Sequence, residues 1–238
     1  MPSEQDNLKR AAAAKALDYV TDGMKLGLGT GSTAEAFIEL LAPRVRGGLK
    51  LLCVPTSERT TTYARKLGLS LGNLDDLSPL DLTVDGADES DRELTLIKGA
   101  GGALLREKIV AAASKRMVVI ADETKLVARL GKFTLPVEVL EFGHKTTVAH
   151  LAAAFTALGY NNIPITLRQR DGAVFKSDSG NLIYDCAMGA ITSAAKLAAS
   201  ISSIPGVVEH GLFIGIATTL IIAHPGEVEV IERERAAG

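Results

Sequence analysis

MKLGLGTGSTAEAFIELL, residues 24–41, runs from a short apolar segment (Met24–Leu28) through Gly29-Thr30-Gly31-Ser32-Thr33 into a helical pattern from Ala34 to Leu41, closed before Pro43. Strand, Gly-rich turn and helix in that order present unpaired backbone N–H groups and a positive helix end to an anion. The loop is not a Walker A motif, because no Lys follows its second Gly. Nor does it complete a dinucleotide fingerprint. Gly29 and Gly31 are followed by Ala34 in the third place, and the next apolar run, Leu49–Val54, leads to Pro55-Thr56-Ser57 instead of an acidic residue. The hydroxyls of Thr30, Ser32 and Thr33 suit a small phosphate better than a pyrophosphate. An ordinary tight turn with Ser32 as helix N-cap accounts for the same letters.

Outward from this loop the chain alternates. An Ala-rich amphipathic helix precedes it over residues 4–20. After it come a helix at 57–67, a short strand at 69–71, a strand from Asp81 to Val84, another at 94–97, a helix at 103–114 and a strand at 117–121. Repeated β–α units with short connections predict a parallel sheet covered on both faces. Gly131-Lys132-Phe133 and Pro136 interrupt the pattern and mark a domain crossing. Beyond them a strand at 137–140, a helix at 147–158, strands at 165–170, 173–176 and 181–186 with hairpin turns, and a helix at 190–203 read as a smaller α+β unit. Strands return from Val207 to Ile231 around His224-Pro225-Gly226, and Glu232–Gly238 reads as a frayed end.

The whole chain narrows the function classes. Its 238 residues, 47% hydrophobic and 23% charged, are those of an ordinary globular protein. A formal charge of -2, no Trp and 4% aromatics give nucleic acid no footprint as a partner. The N-terminus MPSEQDNLKR lacks a signal peptide's apolar core, and Leu212–Ala223 is too short for a membrane span, so a cytoplasmic protein with no membrane partner is expected. Cys53 and Cys186 lie apart in apolar runs and read as buried free thiols. His144, His150, His210 and His224 show no ligand spacing, so no metal is assigned and each reads as a surface or loop residue.

A second stretch concentrates charge: DLTVDGADESDRELTLIKGAGGALLREK, residues 81–108. Asp85 and Asp88 flank Gly86-Ala87 at a strand end, where they share one small volume or simply cap the turn. Glu89, Ser90 and Asp91 read as solvated. Lys98 directly precedes Gly99-Ala100-Gly101-Gly102, small residues that let a ligand approach the backbone and add N–H donors to the ammonium. Glu107 follows about one helical turn later, over the same pocket or in solvent beside Arg106 and Lys108. Lys125 sits at another strand end, as a ligand contact or an ordinary loop lysine. A carboxylate base, an amine and an anion loop, without a hydrolase's nucleophile arrangement, fit proton abstraction next to a carbonyl.

Taken together, GLGTGSTA at 27–34, VDGADE at 84–89, IKGAGGALLREK at 97–108, LGKFTLPVEV at 130–139, GNLIYD at 180–185 and IPGVVEHGLF at 204–213 resemble the A-type ribose-5-phosphate isomerase family, in order and over nearly the whole chain. The resemblance implies a Rossmann-like α/β parallel-sheet domain (1–133 plus 215–238) with a smaller inserted α+β, ferredoxin-like domain (134–214). It also implies cofactor-free interconversion of ribose 5-phosphate and ribulose 5-phosphate through a cis-enediol, in the pentose phosphate pathway, by a homodimer or homotetramer. On that footing Thr30, Gly31, Ser32 and Thr33 bind the phosphate end, and Asp85, Gly86, Ala87 and Asp88 line the sugar, with an Asp assisting ring opening. Lys98, Gly99, Ala100 and Gly101 hold the reacting oxygens, Glu107 is the proton shuttle, Lys125 is a further substrate lysine, and Lys9 reaches toward the phosphate. Ala100 departs from the Gly often found there. Two rivals are a non-catalytic sugar-phosphate sensor, which would not need Glu107, and a CoA-transferase using Glu107 as nucleophile, for which basic and aromatic channel residues are lacking.

Overall fold

The computed structural model describes residues 3–233. In chain order the first half comprises α1 (Glu4–Ala16), β1 (Lys25–Leu28), α2 (Ser32–Arg46), β2 (Leu52–Pro55), α3 (Glu58–Lys66), the single turn α4 (Leu74–Leu77), β3 (Leu82–Gly86), β4 (Glu89–Ser90), β5 (Leu96–Ile97), α5 (Leu104–Ala112) and β6 (Met117–Asp122). The second half comprises β7 (Leu135–Val139), α6 (His144–Ala157), β8 (Ile165–Leu167), β9 (Gln169–Arg170), β10 (Ala173–Val174), β11 (Leu182–Cys186), α7 (Ala194–Ser202), β12 (Val207–His210), β13 (Leu212–Phe213), β14 (Thr219–His224) and β15 (Glu227–Glu232).

The central sheet runs β15-β14-β6-β3-β1-β2, parallel throughout except for the antiparallel edge strand β15. Its inner strands β14, β6, β3 and β1 are buried on both faces, as parallel sheets require, while the edge strands β15 and β2 are partly exposed. Val118 and Ile120 of β6 pack with Leu26, Leu28 and Phe37 on one side, while Met117 and Val119 pack with Leu220 and Ile222 on the other. Each such fully buried side chain stabilises the fold by about 1.5–3 kcal/mol. The chain leaves β1 toward β2 on one side, whereas β3, β6 and β14 extend on the other. The loops after β1 and β3 therefore diverge, and a crevice opens at their carboxyl ends.

A second sheet, β12-β7-β11-β8, is antiparallel, and α6 and α7 cover it through Leu151, Phe155, Leu197 and Ile201. Its chain order β7-α6-β8-β11-α7-β12 is the βαββαβ arrangement of ferredoxin-like units. A small third sheet, β13-β5-β4, lies between the two along the chain's return path.

Several boundaries differ from expectation. The α2 helix does not close before Pro43 but continues to Arg46. Pro43 has no N–H to give the preceding turn, yet Leu41, Ala42 and Val45 still face the core, and their burial carries the helix on. The strand expected at 94–97 shrinks to Leu96–Ile97 because Leu94 takes φ 62°, a left-handed value no strand admits. Of residues 69–71 only Leu71 bridges, to Cys53. Glu232 is not frayed: it ends β15 and accepts hydrogen bonds from Tyr19 (3.1 Å) and Thr219 (2.8 Å). The remainder of that expected tail, 234–238, lies outside the described residues. Cys53 and Cys186 are buried and free, as read from their apolar surroundings.

Candidate active site

The crevice at the switch point is a cavity of about 210 Å³. Its first wall is the turn after β1. Gly31 has φ 113° and is the N-cap of α2, so Ser32 opens the helix instead of capping it, and no side chain caps the end. The first-turn N–H groups are therefore left for an outside acceptor. The hydroxyls of Ser32 and Thr33 have no partner among the described residues and line the cavity. Thr30 is committed differently. Its Oγ1 lies 2.8 Å from the hydroxyls of Thr56 and Ser57, and its N–H donates to Asp85 Oδ1 at 3.2 Å, so it pins the turn to β3 and α3. Lys9 and Gln5 of α1 complete this end.

The second wall is an acid–amine cluster. Lys98 Nζ lies 2.9 Å from Asp85 Oδ2 and 3.4 Å from Glu107 Oε2, and donates to the Gly86 carbonyl at 2.7 Å. All three side chains are under 5% exposed. Asp85 does not face the cavity: it stands behind Lys98, with Oδ1 accepting the Gly86 N–H at 2.7 Å. Asp88 does face it, held by the Ala100 N–H at 2.9 Å. One ammonium beside two buried carboxylates, Asp85 and Glu107, with the half-buried Asp88 nearby, leaves the cluster over-negative. Burial raises the Glu107 carboxyl, Lys98 pulls it down, and Asp85 and Asp88 push it up again, leaving it at about 8. Burial likewise raises Asp85 and Asp88 against the pull of Lys98. For Lys98 burial alone would lower the pKa, but Asp85 and Glu107 outweigh it and hold the ammonium charged.

The third wall is the Gly99–Gly101 loop, with Lys125 at the end of β6. Gly99 (φ 111°) is required twice over: a Cβ there would come 3.0 Å from Leu104 and 3.1 Å from Pro136.

A sequence profile of ribose 5-phosphate isomerase A (phosphoriboisomerase A) matches residues 52–227. The ribose-5-phosphate isomerase A of Nitrobacter hamburgensis is 58% identical over 228 residues, covering 96% of this chain and 98% of that one. Among solved structures, the ribose 5-phosphate isomerase from Plasmodium falciparum superposes with a TM-score of 0.92 at 38% identity, over 97% of this chain and all of that one. A D-ribose-5-phosphate isomerase in complex with phospho-erythronic acid gives 0.89 at 34% identity, with coverage of 97% and 100%. The chain belongs to the ribose 5-phosphate isomerase A family. It is accordingly an isomerase.

In this isomerase the loops after β1, β3 and β5 and the first turn of α5 bring Thr30 to Thr33, Gly86 to Asp88, Lys98 to Gly101 and Glu107 to one cavity, with Lys9 and Lys125 at its rim. Glu89 and Ser90, expected to be solvated, are instead buried. The Glu89 carboxylate accepts the Gly131 N–H at 2.7 Å and the Phe133 N–H at 2.5 Å, which satisfies it without water. His210 is not a surface residue: it is buried on β12, its Nε2 facing Ser202 at 3.2 Å, with its pKa pushed down to about 4 by burial and Lys108. Sequence reasoning missed Gln5, whose surroundings carry no motif, Arg168, which reaches the Gly99 and Ala100 carbonyls from the end of β8, Asp185 of β11, which holds Arg168, and Phe175, which follows β10 and packs against Gly102. No helix among the described residues is long and apolar enough to cross a membrane, and none of their His, Cys, Asp and Glu groups is arranged to hold a metal ion.

Proposed function

We propose that this isomerase interconverts D-ribose 5-phosphate and D-ribulose 5-phosphate through a cis-enediolate, without metal or cofactor, in the non-oxidative branch of the pentose phosphate pathway. The observation that carries the reading is the placement of a carboxyl poised at about 8, Glu107, in one cavity with the buried Lys98 ammonium and the uncapped start of α2. The phosphate sits at Ser32 and Thr33, assisted by Lys9. The open-chain aldose then extends past Asp88 toward Lys98 and Glu107.

Glu107 takes the proton from C2 and returns it to C1 on the same face, while the proton of the C2 hydroxyl passes to the oxygen at C1, a transfer suited to a carboxylate of raised basicity. Charge developing on the oxygen at C1 is met by Lys98 and the Gly101 N–H. Asp85 acts through Lys98, which it orients. Asp88, raised by burial, exchanges a proton with the ring oxygen during opening. Lys125 holds a sugar hydroxyl.

Residues 134–214 are read as the smaller inserted domain. This is supported by the chain leaving the parallel sheet after Asp122 and rejoining it at Thr219. A cytoplasmic homodimer or homotetramer is proposed on the family resemblance, and exposed apolar side chains such as Phe142 are available to an interface.

The test is incubation of the purified chain with ribose 5-phosphate in D2O, followed by NMR. Ribulose 5-phosphate carrying deuterium at C1 is expected, and no ketose at all rejects the reading. EDTA is expected to leave the rate unchanged, and a loss restored by a divalent ion contradicts the metal-free mechanism.

A further inference from the structure

Arg168 follows β8 in the second sheet, and its side chain is 10% exposed. Nε donates to Asp185 Oδ2 at 2.9 Å and Nη2 to Oδ1, a two-point fork that fixes the guanidinium plane. From the same plane Nη1 donates to the carbonyls of Gly99 at 2.7 Å and Ala100 at 3.3 Å. Arg170 adds a donor to Gly101 O at 3.4 Å, and the Phe175 ring fills the space where a Cβ on Gly102 would lie. Neither Arg168 nor Asp185 lines the cavity, so the grip comes from outside it.

In a trans peptide the C=O and N–H point in opposite directions. Drawing Gly99 O toward Arg168 therefore directs the Ala100 N–H the other way, and it meets Asp88 Oδ2 at 2.9 Å. Drawing Ala100 O the same way leaves the Gly101 N–H on the cavity side, with no acceptor among the described residues. The Gly102 N–H also donates to Gly99 O at 3.0 Å, closing the turn, and Arg168 adds the hold that reaches both carbonyls. Gly99 and Gly102 have φ of 111° and 85°, and glycine-rich backbone flips readily between orientations. A flipped peptide would aim a carbonyl dipole at the developing oxyanion, reversing the sign of its contribution.

We propose that Arg168, locked by Asp185, is a positioning residue for the isomerisation: it holds the Gly99 and Ala100 carbonyls out of the cavity so that the Gly101 N–H and the Asp88 carboxylate face the reacting end. The inference rests on the function proposed above. It predicts selective damage, because the phosphate end is held by other elements.

The test compares the full-length wild type with Arg168→Ala, Arg168→Lys and Asp185→Asn. Steady-state kinetics are combined with calorimetric binding of phospho-erythronic acid, whose carboxylate mimics an enediolate, and of inorganic phosphate. In Arg168→Ala, kcat falls about 100-fold while KM stays within about three-fold, as for loss of an oriented oxyanion donor. Binding of phospho-erythronic acid weakens by about ten-fold or more while that of phosphate stays within about two-fold, and added guanidinium ion restores part of the rate. Arg168→Lys recovers little, since an ammonium cannot grip Asp185 and both carbonyls in one plane. Unchanged kcat and phospho-erythronic acid affinity in folded Arg168→Ala, or equal weakening of both ligands, overturns the proposal. Should Arg168→Ala not fold, an Asp185→Asn variant with wild-type kcat and binding overturns it equally. A wild type that does not isomerise ribose 5-phosphate rejects the proposed function, and the ratio of the two binding losses still decides the role of Arg168.

Discussion

A Cβ on Gly29 would lie 2.1 Å from Asp85 Oδ1 and 2.6 Å from Asp85 Cα, so the turn after β1 and the end of β3 meet with no room for a side chain. This contact joins the turn after β1 to the acid–amine cluster, which are separated by more than fifty residues in the sequence. Gly29→Ala must push backbone away from backbone. It is expected to lower the unfolding free energy by about 3 kcal/mol, read from urea denaturation at unchanged slope. A variant within about 0.5 kcal/mol of wild type, the scatter of neutral substitutions, contradicts the close approach.

The pH profile follows from the Glu107 carboxyl. The base must be ionised, so kcat/KM is expected to rise with pH through about 8 and level off above it. Stability runs the other way. Because the folded value is raised above the ordinary 4.5, the contribution of Glu107 is full below 4.5 and is lost as pH rises through about 8. In Asp85→Asn a negative neighbour that raises Glu107 is gone, and the acid limb of the profile moves below that of wild type. A limb that stays or moves up contradicts the electrostatic account.

Ser32→Ala and Thr33→Ala each remove a hydroxyl at the uncapped start of α2. A hydrogen bond to a charged group is worth about 1.5–3 kcal/mol, so KM for ribose 5-phosphate is expected to rise about ten-fold or more with kcat little changed. Wild-type KM in both variants would place the phosphate elsewhere.

Where local signals and packing agree, the fold was legible in the sequence. Residues 24–41 do form strand, turn and helix, and the two-sided burial of β6 follows from its unbroken apolar run. At Pro43 the local penalty is outweighed by the core contact of Leu41 and Ala42, which no neighbouring residue signals. Glu89 misled because a charged residue in a polar run reads as solvated, while the N–H groups that satisfy it belong to Gly131 and Phe133. In the site, Lys98, Glu107 and the loop glycines announced themselves through small residues placed beside charge. The placement of Asp85 behind Lys98 did not, since spacing alone gives both aspartates the same turn. Arg168 and Asp185 left no local trace: their meaning lies in a loop 69 positions from Arg168, which only tertiary packing brings within reach.

The central claim is that Glu107 moves the proton between C1 and C2. Its most direct test is the turnover of Glu107→Gln, which keeps shape and burial but removes the base. The expected result is a fall in kcat of about 1,000-fold or more with phospho-erythronic acid still bound. A folded Glu107→Gln enzyme that retains a tenth or more of wild-type kcat, about 1.4 kcal/mol of barrier or less, would contradict the account.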